Sequence, residues 1–168
     1  MFWLKSGLFA VGLGMSFVYA IIPPLARDLG LSEIQASFIF SLSAVAWAMT
    51  SAPWGRASDK YGRRNIAILG YIGYSISMII LILPIYLADK NILSAAFVFP
   101  LLILGRTIYG LLGSATRPAS FAYIADITPK SKRTKKFARF ESNFLLGTLV
   151  GPLLGLSLIH ISEPTRRT

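Results

Sequence analysis

The chain has 168 residues, of which 54% are hydrophobic and 14% charged, against about 25% charged in soluble domains. With a mean hydropathy of +0.62, that composition argues against a water-soluble fold. The net charge of +10 needs a topological or a ligand explanation, and the absence of cysteine excludes a disulfide frame and a thiol nucleophile.

Charges are clumped, and the gaps between clumps have one length. Twenty-one uncharged residues separate Lys5 from Arg27, 22 separate Glu33 from Arg56, and 24 separate Arg64 from Asp89. Each gap suits a membrane span, which needs about 20 apolar residues. The sequence therefore predicts spans over about 6–26, 34–55 and 65–88. The first exceeds a signal-peptide core and ends in Ile22-Pro23-Pro24, not in a small-residue cleavage site. It is read as retained.

Residues 91–125 contain Arg106 and Arg117 and are too long for one straight span. A fourth span is expected over about 100–125, entered at Pro100. A fifth, about 142–155, follows Glu141. Lys and Arg in short loops favour the cytoplasmic side. The loop after the second span carries Arg56, Lys60, Arg63 and Arg64; the loop after the fourth carries Lys130, Lys132, Arg133, Lys135, Lys136 and Arg139. Both are expected inside, with the amino terminus cytoplasmic. A basic loop beside anionic lipid accounts for the charge, so the bilayer is the expected partner and no nucleic acid is.

The most specific motif is Gly55-Arg56-Ala57-Ser58-Asp59-Lys60-Tyr61-Gly62-Arg63-Arg64, between the second and third spans. Its glycines suit a tight turn, and Asp59 can cap a neighbouring helix or pair with Arg63. The segment matches G-x-x-x-D-[RK]-x-G-R-[RK] at every specified position, in the loop where the major facilitator superfamily carries it, and the chain resembles that family over Lys5 to Gly155. The resemblance implies a conformational latch at Gly55, Asp59, Lys60, Gly62, Arg63 and Arg64.

Two further elements extend the resemblance. Leu101 to Gly110 is similar to the family's L-x-x-x-R-x-x-Q-G element, with Tyr109 in place of the glutamine, so only Arg106 and Gly110 transfer. Arg106, Gly110, Gly113 and Arg117 recur at helical spacing, and a buried arginine must face protein or water. The family's matching arginine is associated with proton coupling; a structural arginine satisfied by carbonyls is the plainer alternative, and Arg117 can snorkel. In the fifth span, Gly147-Thr148-Leu149-Val150-Gly151-Pro152-Leu153-Leu154-Gly155 resembles the antiporter element G-x-x-x-G-P-x-x-G-G up to its last residue. Gly147, Gly151 and Gly155 make a smooth face for helix contact, and Pro152 can bend the span.

Residues 156–168 do not continue that element and are expected to be a non-native, adapter-derived tail, which leaves 1–155 as a partial amino-terminal bundle. Phe17, Tyr19 and Trp47 offer aromatic surface to an apolar ligand in a substrate cavity. No carboxylate is expected in mid-span: Asp126 and Glu141 flank the spans and are available to the motif arginines. No metal, cofactor or enzymatic chemistry is expected.

The fold implied is all-α and integral to a plasma or bacterial inner membrane, with about five helices of a six-helix bundle that in the family packs against a second such bundle and rocks around a central cavity. The function implied is efflux of small amphipathic or drug-like molecules in exchange for protons. A symporter or uniporter of the same superfamily, or a nontransporting membrane scaffold, are the alternatives.

Overall fold

The computed structural model describes residues 2–28, 30–90 and 92–162. These form six helices: α1 (Phe2–Asp28), α2 (Glu33–Tyr61), α3 (Arg63–Asp89), α4 (Ala95–Leu112), α5 (Thr116–Asp126) and α6 (Arg133–Ser162). There is no strand among the described residues. Among the described residues four stretches are long and apolar enough to cross a membrane: Trp3–Arg27, Glu33–Tyr61, Arg63–Ala88 and Phe97–Asp126, the last combining α4 and α5.

Helix ends follow local chemistry. Ser32 caps α2: the Gln35 amide donates to Ser32 Oγ at 3.2 Å, and the Ser32 amide donates to Gln35 Oε1 at 2.9 Å. This reciprocal pair satisfies two donors that the helix's first turn leaves open. The helix then runs past the expected boundary at 55 to Tyr61, so Gly55 lies inside a helix and not in a turn. The turn belongs to Gly62 alone, whose φ of +95° is unfavourable for any residue with a Cβ.

The fourth span is broken where no break was expected. A 3₁₀ turn over Gly113–Ala115 separates α4 from α5. Pro118 has no amide to give the carbonyl of Ser114, so the regular i to i−4 ladder cannot pass through this point, and the tighter turn accommodates the loss. At the other end, α4 begins at Ala95, before Pro100, whose missing amide falls near the helix start. The helix that carries the expected fifth span, α6, begins at Arg133 instead of 142, because lysines and arginines, which favour helix, dominate its first residues.

Packing holds α1 against α6 and α2 and α3 against α4. One buried cluster joins Val18, Ile22, Ile39, Leu81, Val98 and Leu102; a second joins Leu4, Leu8, Ile124 and Phe140. Within lipid such contacts stabilise through close packing and interhelical hydrogen bonds, since apolar burial gains little when the solvent is itself apolar. The polar ties are present. Tyr71 donates to the Leu4 carbonyl at 3.2 Å, Tyr74 to that of Ala10 at 3.2 Å, and Trp54 Nε1 to that of Leu111 at 2.6 Å.

Candidate functional site: a charged latch, a caged arginine and a glycine seam

Three arrangements bring together the residues singled out in the sequence. The first lies at one end of the bundle, where α2, α3 and α5 meet. Arg63 is the first residue of α3. Its Nη1 sits 2.7 Å from Asp59 Oδ1, one turn back across Gly62, and its Nε pairs with Asp126 Oδ2 at the end of α5. One guanidinium thus ties both basic connections to one end of the bundle. Lys60 and Arg64 are exposed and flank this triad, with Lys60 Nζ 5.3 Å from the Tyr61 ring. Gly55 faces Pro118 of α5, and a Cβ there would stand 3.9 Å from the proline Cβ, in ordinary contact.

The second arrangement surrounds Arg106. It is only 1% exposed, and its one described hydrogen bond is from Nη2 to Ser43 Oγ at 3.0 Å. Its Nε and Nη1 are buried with no described partner. Three rings stand in for a counter-ion: the guanidinium carbon lies 5.6 Å from the Tyr19 centroid, 5.1 Å from Phe40 and 5.0 Å from Tyr109. Tyr19 and Phe40 stack at 4.8 Å, and Trp47 packs on Tyr109 at 5.3 Å. A desolvated cation–π contact contributes about 2 kcal/mol, against an effective penalty of several kcal/mol for a buried ion. Three such contacts are together of the same order as that penalty, while Nε and Nη1 remain without a described partner.

Gly110, one turn on, lets α4 approach α2. A Cβ at this position would collide with the Ser43 carbonyl oxygen and the Ala46 side chain, and Thr50 Oγ1 lies 3.0 Å from the Gly110 carbonyl oxygen. Tyr19 and Trp47 belong to this cluster. Phe17 does not: it lies about 200° around α1 from Tyr19 at 100° per residue, with its amide beside Gly151.

The third arrangement is the seam between α1 and α6. A Cβ on Gly147 would strike the Phe9 carbonyl oxygen and the Leu13 amide; one on Gly151 would strike the Leu13 carbonyl oxygen and Ser16 Oγ; one on Gly12 would strike the Phe144 carbonyl oxygen. Backbone meets backbone, which only glycine permits. Pro152 is accommodated within the continuous α6. Gly155 belongs to α6, its surroundings lie outside the described residues, and so do residues 163–168 of the expected tail.

One pair was missed. The sequence left Glu141 available to the motif arginines and Arg117 able to snorkel; in the structure Arg117 Nη2 bonds Glu141 Oε1, joining α5 to α6. The Arg117 guanidinium also stacks 4.8 Å from the Phe144 ring. Glu141 lies eight positions after the first residue of α6, about 12 Å along the helix, and its Oε2 is buried with no described partner. Glu141 still flanks the expected span at 142–155, and its carboxylate reaches into the contact between α5 and α6. No sequence periodicity marked it, because the two residues lie on different helices. Among the described residues no group of three metal-ligating side chains occurs.

Comparison with known proteins places the chain in context. The family model described as Major Facilitator Superfamily matches residues 6–164. The class B tetracycline resistance protein of Escherichia coli is 34% identical over 146 residues, covering 85% of this chain and 33% of that protein. Quinolone resistance protein NorA of Staphylococcus aureus strain Mu50 is 25% identical over 162 residues, covering 96% of this chain and 39% of that protein. The chain thus spans between about a third and two fifths of the length of these curated relatives.

Proposed function

We propose, starting from the fact that this chain belongs to the Major Facilitator Superfamily, that it is the amino-terminal part of an exporter that moves small amphipathic molecules out of the cell in exchange for protons. The multi-pass membrane protein sits with its amino terminus in the cytoplasm. The triad of Asp59, Arg63 and Asp126 then lies at the cytoplasmic face, as the excess of Lys and Arg in its two loops favours.

The observation that carries the export reading is the α1–α6 seam, where Gly147 and Gly151 press against the backbone of Phe9 and Leu13. In the family this glycine-proline element goes with antiporters, and both relatives named above are resistance proteins. In this reading Arg63 latches one conformation by holding α2, α3 and α5 together. Arg106 places a fixed positive charge beside the substrate path, where it responds to a proton bound elsewhere. Tyr19 and Trp47 present aromatic surface to the substrate.

The test is energised efflux of a fluorescent amphipathic dye from cells expressing the uninterrupted reading frame. Export should collapse with a protonophore and with Asp59→Asn or Arg106→Met. Dye accumulation driven by the proton gradient would indicate a symporter instead, and unchanged cellular function in both variants would indicate a scaffold.

A further inference from the structure

We infer that the basic end of α6, with the leucine stripe that continues from it, binds one anionic phospholipid. The inference rests on the chain being embedded in a bilayer and not on what it transports.

A cavity of about 420 Å³ is lined by Lys132, Lys135, Lys136 and Arg139, with no carboxylate among its described lining residues. The contrast lies at the α2–α3 connection, where a larger cavity of about 560 Å³ mixes Arg63 and Arg64 with Asp59 and Asp126. The carboxylates nearest the α6 cluster in sequence are committed elsewhere, Asp126 to Arg63 and Glu141 to Arg117. The cluster also occupies the positive end of a helix dipole, and α6 has no acidic residue in its first turn. Cations are unfavourable there unless an anion joins them. A phosphate accepts hydrogen bonds from Lys132, Lys135 and Arg139 together.

What makes the anion a lipid is the face on which these cations stand. At about 100° per residue, Lys135, Arg139, Leu146, Leu149 and Leu153 fall within about 40° of one line along α6. All five are exposed, the leucines by 54%, 67% and 63% in that order. Leu146 and Leu149 lie about 10 and 15 Å from Arg139 along the helix axis, which is within one leaflet of a hydrocarbon core about 30 Å thick. A phosphate held at the cations therefore leaves its acyl chains lying on the leucines. A soluble phosphate would use only the upper half of the stripe.

The experiment is native mass spectrometry of the full-length protein, delipidated and then offered phosphatidylglycerol or phosphatidylethanolamine of the same acyl chains, with glycerol phosphate as a third arm. Phosphatidylglycerol should be retained at least about tenfold over phosphatidylethanolamine, as three cations near an anionic head group imply. The triple change Lys132→Gln, Lys135→Gln, Arg139→Gln should erase that preference. The charge-keeping triple Lys132→Arg, Lys135→Arg, Arg139→Lys should preserve it, which guards against misfolding as the cause. The neutral pair Lys60→Gln, Arg64→Gln in the other basic loop should leave the preference intact. Equal retention of the two lipids overturns the inference, as does equal loss from changes in either loop. So does glycerol phosphate saturating the site as tightly as the lipid, which would mean a soluble anion.

Discussion

Arg63 bridges Asp59 and Asp126, so the end of α2, the start of α3 and the end of α5 share one guanidinium. Both carboxylates are more than half exposed, and such pairs contribute about 0–1 kcal/mol each to stability. Asp126→Asn should therefore lower thermal stability in detergent by less than about 1 kcal/mol. Its larger effect should be on the balance between conformations, read by crosslinking or by the rate of substrate release. Charge exchange, Arg63→Asp with Asp126→Arg, should recover part of the activity lost in either single variant. A double variant no better than the singles would remove the latch interpretation.

Arg106 invites a different prediction. Its charge is buried with one described hydrogen bond and three aromatic neighbours, and replacing a poorly compensated buried ion with an apolar side chain of similar volume is often neutral or stabilising by about 1–4 kcal/mol. Arg106→Met should thus melt no lower than the parent protein while losing substrate-driven proton movement. Ser43→Ala acts in the opposite way. It keeps the charge and removes its described hydrogen-bond partner, a loss of about 1.5–3 kcal/mol for a bond to a charged group. A stable, fully active Arg106→Met protein would make this arginine purely structural.

Much of this was legible in the sequence, and the reasons are specific. The spans were visible because charged residues cannot be left in lipid at little cost, so the gaps between Lys5, Arg27, Glu33, Arg56, Arg64 and Asp89 mark them directly. Gly62 and Arg63 were visible because a motif confined to ten consecutive residues carries its own geometry. The Arg117–Glu141 pair and the ring cage on Arg106 were not visible. Both depend on which faces of α1, α2, α4, α5 and α6 meet, and helical spacing fixes a residue's face without naming the neighbour opposite. The break at Gly113–Ala115 had a signal in Pro118, which was outweighed by the continuous apolar run around it.

The glycine seam predicts a steric failure. A Cβ on Gly147 or Gly151 meets backbone atoms of Phe9 and Leu13, which cannot rotate away as a side-chain tip can. Overpacking of this kind costs about 1–3 kcal/mol. Gly147→Ala and Gly151→Ala should each lower the unfolding midpoint and loosen a disulfide trap engineered across α1 and α6. Adding Ser16→Ala to Gly151→Ala should relieve only part of the damage, because the Leu13 carbonyl remains. An unchanged midpoint in Gly147→Ala would mean that the two helices do not touch at this depth.

The pair between Arg117 and Glu141 differs from the latch in being more enclosed, about a third exposed on each side. Removing one partner leaves the other charge inside the bundle, so Glu141→Gln and Arg117→Gln should each destabilise more than Asp126→Asn does. Removing both leaves two neutral amides. The double variant should then be less unstable than the sum of the singles, with a coupling of about 0.5–3 kcal/mol. Phe144 complicates Arg117→Gln, since its ring also faces the guanidinium; Arg117→Lys isolates the charge from the planar stacking, because lysine keeps the one and loses the other. Chemical unfolding in detergent across the four proteins of the cycle gives the coupling directly. Strict additivity would show that the two side chains act independently and that α5 is held to α6 by packing around Phe121, Phe137 and Phe140.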